Sequence, residues 1–320
     1  MRTRSVVKGL LTFVPFLRGP LTRQGPGGAG SAVCCYEVWL KHLTLLSANG
    51  LRSVPNAMLE LGPGESLGVG LAAMLSGVNH YSALDAAEYA KKTSDLRMLE
   101  ELVALFRARA PRPLTGWPNY DAYLDKDLFP SHILTHDLLK GTVSEARVAQ
   151  IRDALASPNS PGGAVSIRYI APWSDENVVP RESVDLILSQ SVLEHVDDLR
   201  STYRDLYLWL KPGGMMSHQI DFSAHTLSKE WNGHWACSDL LWKILVGKRP
   251  YLLNRQPCSV HTELMKSNGF EIVCDLKYRR TDGIRRSQLA ARWRDLSDDD
   301  LTCGGAFIQA KKKVRPPVAQ

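Results

Sequence analysis

The stretch Met58-Leu59-Glu60-Leu61-Gly62-Pro63-Gly64-Glu65-Ser66-Leu67-Gly68 narrows the fold more than any other part of the chain. Ala57–Leu61 is a short apolar run with strand character. Gly62 and Gly64 break it with a turn that needs residues free of a side chain. Apolar residues then resume over Leu67–Leu75 as a helix. Strand, glycine turn and helix in that order open a βα unit, so the next strand, Tyr81–Leu84, lies parallel to the first. Asp85 stands at the tip of that second strand. Whatever binds at such a turn meets bare backbone and the amino end of a helix.

The alternation continues along the chain. Val165–Ile170, Val184–Ser189, Met215–Phe222, Phe270–Leu276 and Ala306–Lys311 read as strands. The fourth is an apolar run, as expected of a strand covered on both faces. Helical patterns fall at Tyr36–Ser47, 94–106, Ser144–Ala156, Leu199–Leu210 and Ser259–Asn268. The pattern predicts an α/β fold with a doubly wound, mostly parallel seven-stranded sheet. Two insertions interrupt it, at about 110–143 after the second strand and 223–258 after the fifth. The expected organisation is a basic helical extension over 1–54, one domain over 55–311, and a basic tail over 312–320.

Charge narrows the function classes. The net charge of +6 sits mostly at the ends, in Arg2, Arg4, Lys8, Arg18 and Arg23 and in Lys311, Lys312, Lys313 and Arg315. The near-neutral middle argues against a nucleic-acid groove. A weak contact of the basic ends with an anionic membrane surface stays open. The six cysteines form no C-x-x-C pair, so zinc spacing is missing and free thiols in a reducing cytoplasm are expected. Gly9–Leu17 is shorter than the roughly 20 residues that span a bilayer and predicts a short packed helix. Oligomeric state is left open.

A glycine turn followed by an acid at the next strand tip holds a nucleoside, because a carboxylate accepts from both ribose hydroxyls. Two details disfavour NAD. Leu67 stands where the dinucleotide fingerprint wants glycine or alanine. Glu60 would place a negative charge beside a pyrophosphate. S-adenosylmethionine has no phosphate and carries an ammonium and a sulfonium, which an acid favours. An NAD-dependent oxidoreductase and a non-catalytic binding module are the alternative readings.

The chain resembles class I S-adenosylmethionine-dependent methyltransferases. Leu59-Glu60-Leu61-Gly62-Pro63-Gly64 is similar to their first motif, and Ser183–Val196 to their fourth-strand motif. Leu210-Lys211-Pro212-Gly213-Gly214 is similar to the turn into their fifth strand. The resemblance spans roughly residues 55–310, and narrows to a bacterial group of methyltransferase-domain proteins. It implies S-adenosylmethionine as cofactor, bound by Glu60, Gly62, Gly64 and Asp85. Pro63 in the turn and Ser189 and Gln190 after the fourth strand complete the candidate set. The family often has an acid after the third strand for the adenine. Here the chain reads Ile170-Ala171-Pro172-Trp173-Ser174-Asp175, so the adenine is expected at the backbone of Ala171 and Pro172, or at Asp175.

The acceptor is expected beyond residue 190 and is expected to be small: an oxygen or nitrogen of a sugar, lipid or secondary metabolite. Such an atom can need a base, and histidine suits neutral pH. His195 follows the fourth strand. Glu194 fits a capping box and reads as structural. Asp221 and His225, after the fifth strand, form a base and its orienter. A metal site is not expected, because strand alternation points His218 and Asp221 to opposite faces. In the second insertion, Trp231, His234, Trp235 and Arg255 are candidate substrate contacts, whereas Trp242 reads as helix core.

Overall fold

The computed structural model describes residues 1–16, 30–90, 92–113, 124, 128–173 and 175–314. Residues 17–29 of the amino-terminal extension, much of the first insertion, Ser174 and the tail from Arg315 lie outside the described residues.

Among the described residues seven strands form one sheet: β1 Ala57–Leu61, β2 His80–Leu84, β3 Ser166–Ile170, β4 Val184–Gln190, β5 Leu210–Asp221, β6 Phe270–Arg279 and β7 Cys303–Lys312. Their order is β3-β2-β1-β4-β5-β7-β6. β1 to β5 run parallel, and β7 is antiparallel to both β5 and β6. The helices are α1 Thr3–Leu11, α2 Ala32–Ala48, α3 Gly68–Ser76, α4 Lys92–Arg107, α5 His136–Thr142, α6 Glu145–Ala156, α7 Leu199–Trp209, α8 Asp239–Val246, α9 Cys258–Ser267 and α10 Asp298–Leu301.

Strand alternation divides the core into two layers. Met58, Tyr81, Ala83, Leu186 and Leu188 pack with α2, α3, α4 and α6 on one face. Leu59, Leu61, Leu84, Ile187 and Met216 pack with α7 and α9 on the other. β1 is buried along its whole length. Its neighbours are β2 on one side and β4 on the other, so the strand order reverses there. The crevice at a topological switch point, outside the strands' carboxyl ends, is where open α/β sheets bind ligands.

Three elements differ from expectation. β5 begins at Leu210, not Met215, because Leu210 already pairs with Val184, and the Lys-Pro-Gly-Gly residues form an irregular start to the strand. Lys312 is the last residue of β7, not part of a solvated tail. Its ammonium donates to the carbonyls of Tyr207 and Leu210 and pairs with Glu182 at 3.0 Å. Residues 280–302 between β6 and β7 hold two short 3-10 turns and α10, an excursion the strand pattern does not reveal. Its Ile284, Leu289, Trp293, Leu296 and Leu301 form a separate small core with Trp235 of the second insertion. The amino-terminal residues do form a short helix, as expected, and α1 packs on α8 of the same insertion. Among the described residues no helix is long and apolar enough to cross a membrane.

Candidate active site

The turn after β1 is built for close approach. Gly62 and Gly64 have φ of +62° and +71°, the left-handed region that strains other residues. A side chain at Gly62 would also meet Val192 at 2.6 Å. The loop after β4 therefore lies directly on the glycine turn. Asp85 binds this turn from the tip of β2. Its carboxylate accepts from Gly64 N at 3.1 Å and from Ala86 N at 2.7 Å. Burial raises its carboxyl above the usual value, against those stabilising amides. Asp85 thus shapes the turn, and each oxygen keeps a further lone pair for a hydroxyl.

Glu60 lies buried beneath the turn. Tyr81 donates its hydroxyl to Glu60 Oε2 at 2.6 Å. The Tyr81 ring lies where any side chain at Gly70 would sit, so Gly70 makes room for the ring that anchors Glu60. Desolvation pushes the Glu60 carboxyl up to about 7, with the charge of Asp85 adding to it and the Tyr81 and Gly70 hydrogen bonds opposing it. A cationic ligand would favour the ionised form, so an ammonium fits this position and a phosphate does not.

Around the turn, the other cofactor candidates take different positions. Pro63 is buried between the two glycines. Ala171 and Pro172 follow β3, and Trp173 N donates to Asp85 O, which holds this loop against the tip of β2. Asp175 faces solvent and caps the turn at Asn177, with one carboxylate oxygen accepting both bonds. Ser189 turns under the sheet, 2.8 Å from His218 Nδ1. Gln190 turns to the other side, donating to Gln219 Oε1 at 2.6 Å and meeting His42 Nε2 at 3.3 Å. His42, fully buried on α2, also reaches Ser217 Oγ at 2.7 Å. It went unnoticed in the sequence because it sits inside an apolar helical pattern. Burial holds it neutral, with its titration lowered to about 3.

At the carboxyl ends of β4 and β5 the structure brings together Glu194, His195, Asp221 and His225. Asp221 Oδ2 accepts from His225 Nε2 at 2.8 Å, and its other oxygen accepts from Ser223 N. The rings of His195 and His225 lie 5.0 Å apart, edge to face. Burial, followed by the nearby His225, lowers the His195 titration to about 4. Glu194 is 3% exposed. Its own amide and that of Asp221 lie near enough to favour its charge somewhat. Neither aligns as a hydrogen bond, and both carboxylate oxygens lack a partner. Burial lifts its carboxyl well above the ordinary range. The capping-box role expected of Glu194 is therefore absent. His218 lies apart from this group, beneath the sheet near Tyr203.

The four insertion residues expected to line a substrate pocket turn inward. Trp231, His234, Trp235 and Arg255 are all buried. Arg255 donates to Cys237 O and to Asp239, and its guanidinium stacks on Trp242 at 4.6 Å. Trp235 Nε1 donates to Arg255 O at 2.9 Å. These groups hold the insertion together and pack it on the 280–302 segment. Trp242 is core of α8, as expected. The insertion reaches the site through other residues. Asn254 Nδ2 donates to the carbonyls of Leu193 and Val196, and Asn254 N donates to Glu194 O. Tyr251 Oη donates to Ala86 O at 3.3 Å. A hollow between α6 and β3, lined by Gln150, Asp153 and Ser166 among others, lies at the amino ends of the strands, away from these groups.

Residues 123–217 match the methyltransferase domain family. That segment covers β3, β4 and most of β5 and leaves out the glycine turn. A search of curated proteins finds no match. Among solved structures, the chain is similar to an S-adenosylmethionine-dependent methyltransferase from Mesorhizobium loti (16% identity, 83% of this chain and 95% of that one, TM-score 0.41). It is similar to another from Methanosarcina mazei (13% identity, 85% and 98%, TM-score 0.42). A third is phosphoethanolamine N-methyltransferase 2 of Haemonchus contortus with S-adenosyl-L-methionine (13% identity, 88% and 57%, TM-score 0.40). Likeness at this level does not bear on the acceptor. The matched segment is a methyltransferase domain, and the sheet order with its antiparallel seventh strand and the acid-glycine turn agree with the class I S-adenosylmethionine-dependent methyltransferases that the sequence resembles.

Proposed function

We propose that the chain methylates an oxygen or nitrogen of a small molecule, in the class of sugars, lipids or secondary metabolites. One observation carries this reading: the polar group of Glu194, His195, His225 and Asp221 stands beside the glycine turn, joined to it by Val192. S-adenosylmethionine, when bound, supplies an electrophilic methyl group. Glu60 holds a cationic end, Asp85 offers acceptors for a ribose, and Gly62 and Gly64 let the ligand approach backbone. The Ala171–Pro172 backbone would meet the adenine. Asp221 orients His225, and His225 and His195 receive the acceptor and the proton it gives up. The insertion segment 251–255 bonds to the segments after both β2 and β4, and a cover of this kind favours a small acceptor over a polymer.

Calorimetry with S-adenosylmethionine and S-adenosylhomocysteine tests the cofactor half, and folded protein that binds neither would refute it. Labelled methyl transfer to a panel of hydroxyl and amine acceptors tests the other half. Asp221→Asn is expected to lower kcat about 100-fold or more on any acceptor found.

A further inference from the structure

Glu194 is an expensive residue for its position. A carboxylate taken out of water is retained where something offsets its lost hydration. Among the described residues neither of its oxygens has a partner. The Nδ1 of His195 is likewise buried and without one. His225 is held from behind, its Nε2 donating to Asp221, which leaves Nδ1 with a free lone pair. One oxygen of Glu194 and one nitrogen of each histidine lie within 4.8 Å of one another.

We propose that these groups form a site for a divalent first-row transition ion, held by Glu194, His195 and His225, with Asp221 orienting His225. The donor set indicates the class. Imidazole nitrogens with a carboxylate and no thiolate suit manganese, iron, cobalt, nickel or zinc, whereas magnesium and calcium prefer oxygen donors alone. A histidine whose second nitrogen donates to a carboxylate is the usual support of a metal ligand. Ligands sit about 2.0–2.2 Å from such an ion, so the three donors must draw closer. His195 ends a 3-10 turn and His225 lies in a loop. Both are partly exposed. Three protein ligands leave coordination positions for water or substrate.

This inference rests on the reading that the acceptor arrives here, and it says how the cluster would act. With their lone pairs on the ion, His195 and His225 would no longer accept the proton themselves: the ion would polarise an acceptor hydroxyl and ease loss of its proton to water, leaving the oxygen as nucleophile.

The test begins with protein stripped by EDTA and titrated with manganese(II), followed by calorimetry and by the electron paramagnetic resonance of the free ion. One ion per chain is expected, displaced by zinc. Glu194→Gln and His225→Ala should each abolish uptake, and Asp221→Asn should weaken it about 10–100-fold. His225→Ala changes a loop position, so it keeps the test open if the Glu194 variant does not fold. S-adenosylhomocysteine binding, measured on the same samples, reports on the fold. Wild-type protein that takes up neither ion overturns the site. So do variants that bind manganese as wild type does. Wild type that binds manganese but no S-adenosylhomocysteine keeps the ion site and removes the methyl-transfer reading.

Discussion

Glu60 shows what one buried carboxyl contributes. Its titration is raised to about 7, against about 4.3 for a free glutamate. Between those values the folded chain keeps a proton that the unfolded chain has lost. Its contribution to stability is therefore full below about pH 4.3 and is lost as pH rises through 7. A cofactor ammonium held beside Glu60, as proposed, would favour the ionised form, so binding would expel the proton at lower pH. Affinity for S-adenosylmethionine is expected to climb from about pH 6 and level off above about pH 7.5. Glu60→Gln should flatten that profile, weaken binding by about 1.5–3 kcal/mol, and stabilise the free protein at pH 8. Calorimetry at several pH values, in buffers of differing ionisation heat, reads both proton release and affinity. A flat wild-type profile would separate Glu60 from the ammonium. Glu60, Gly62, Gly64 and Asp85 were legible in the sequence because their geometry is set within one βα unit. Arg255, His234 and Trp235 were not. Their burial depends on Trp293, Leu289 and Ile284, which a long excursion brings back from beyond β6, and no local pattern carries that information.

At the scale of elements, the strands were readable wherever the apolar run was long, and β1 falls on its expected bounds. Pro212 and Gly213 read locally as a turn, whereas pairing with β4 overrides that preference and starts β5 at Leu210. The second insertion was recognised as an addition, but its attachment was not. That attachment runs through Asn254, whose side chain ties the segment before α9 to two carbonyls of the loop after β4, at 2.7 and 2.8 Å. This loop carries Glu194 and His195. Asn254→Ala removes both bonds while leaving the sheet untouched. The loop is then expected to lose its fixed register, with kcat/KM for the acceptor falling about 10-fold or more. Because Val192, not Asn254, faces the glycine turn, S-adenosylhomocysteine affinity should stay within about twofold. An equal loss in both measurements would show that Asn254 supports the whole domain rather than the acceptor side.

The whole molecule joins its amino terminus to the roof of the site. The sequence reading treats residues 1–54 as an extension, and nothing local says where such a helix docks. In the structure α1 crosses α8 with backbone against backbone: a side chain at Gly9 would run into the carbonyls of Ile244 and Leu245. The contact is closed by hydrogen bonds from Arg2 N to Leu227 O and from Lys248 N to Thr12 Oγ1 at 2.8 Å. Met1 and Val6 complete the small core around Trp242 and Leu245. α8 leads directly into residues 251–255, which span the ends of β2 and β4. A change at Gly9 should therefore be felt at the site without touching it. Gly9→Val is expected to detach α1 and speed hydrogen exchange of amides across 239–255, while β1 and β4 keep their protection. Gly141→Val, where an added side chain meets open space, supplies the control and should leave exchange unchanged. Acceptor KM should rise in the Gly9 variant with cofactor affinity preserved, because the glycine turn draws its support from Asp85 and Val192 rather than from α1. Exchange across 239–255 that matches wild type would show that α8 holds its place through the 280–302 core alone, and that α1 only rests on it.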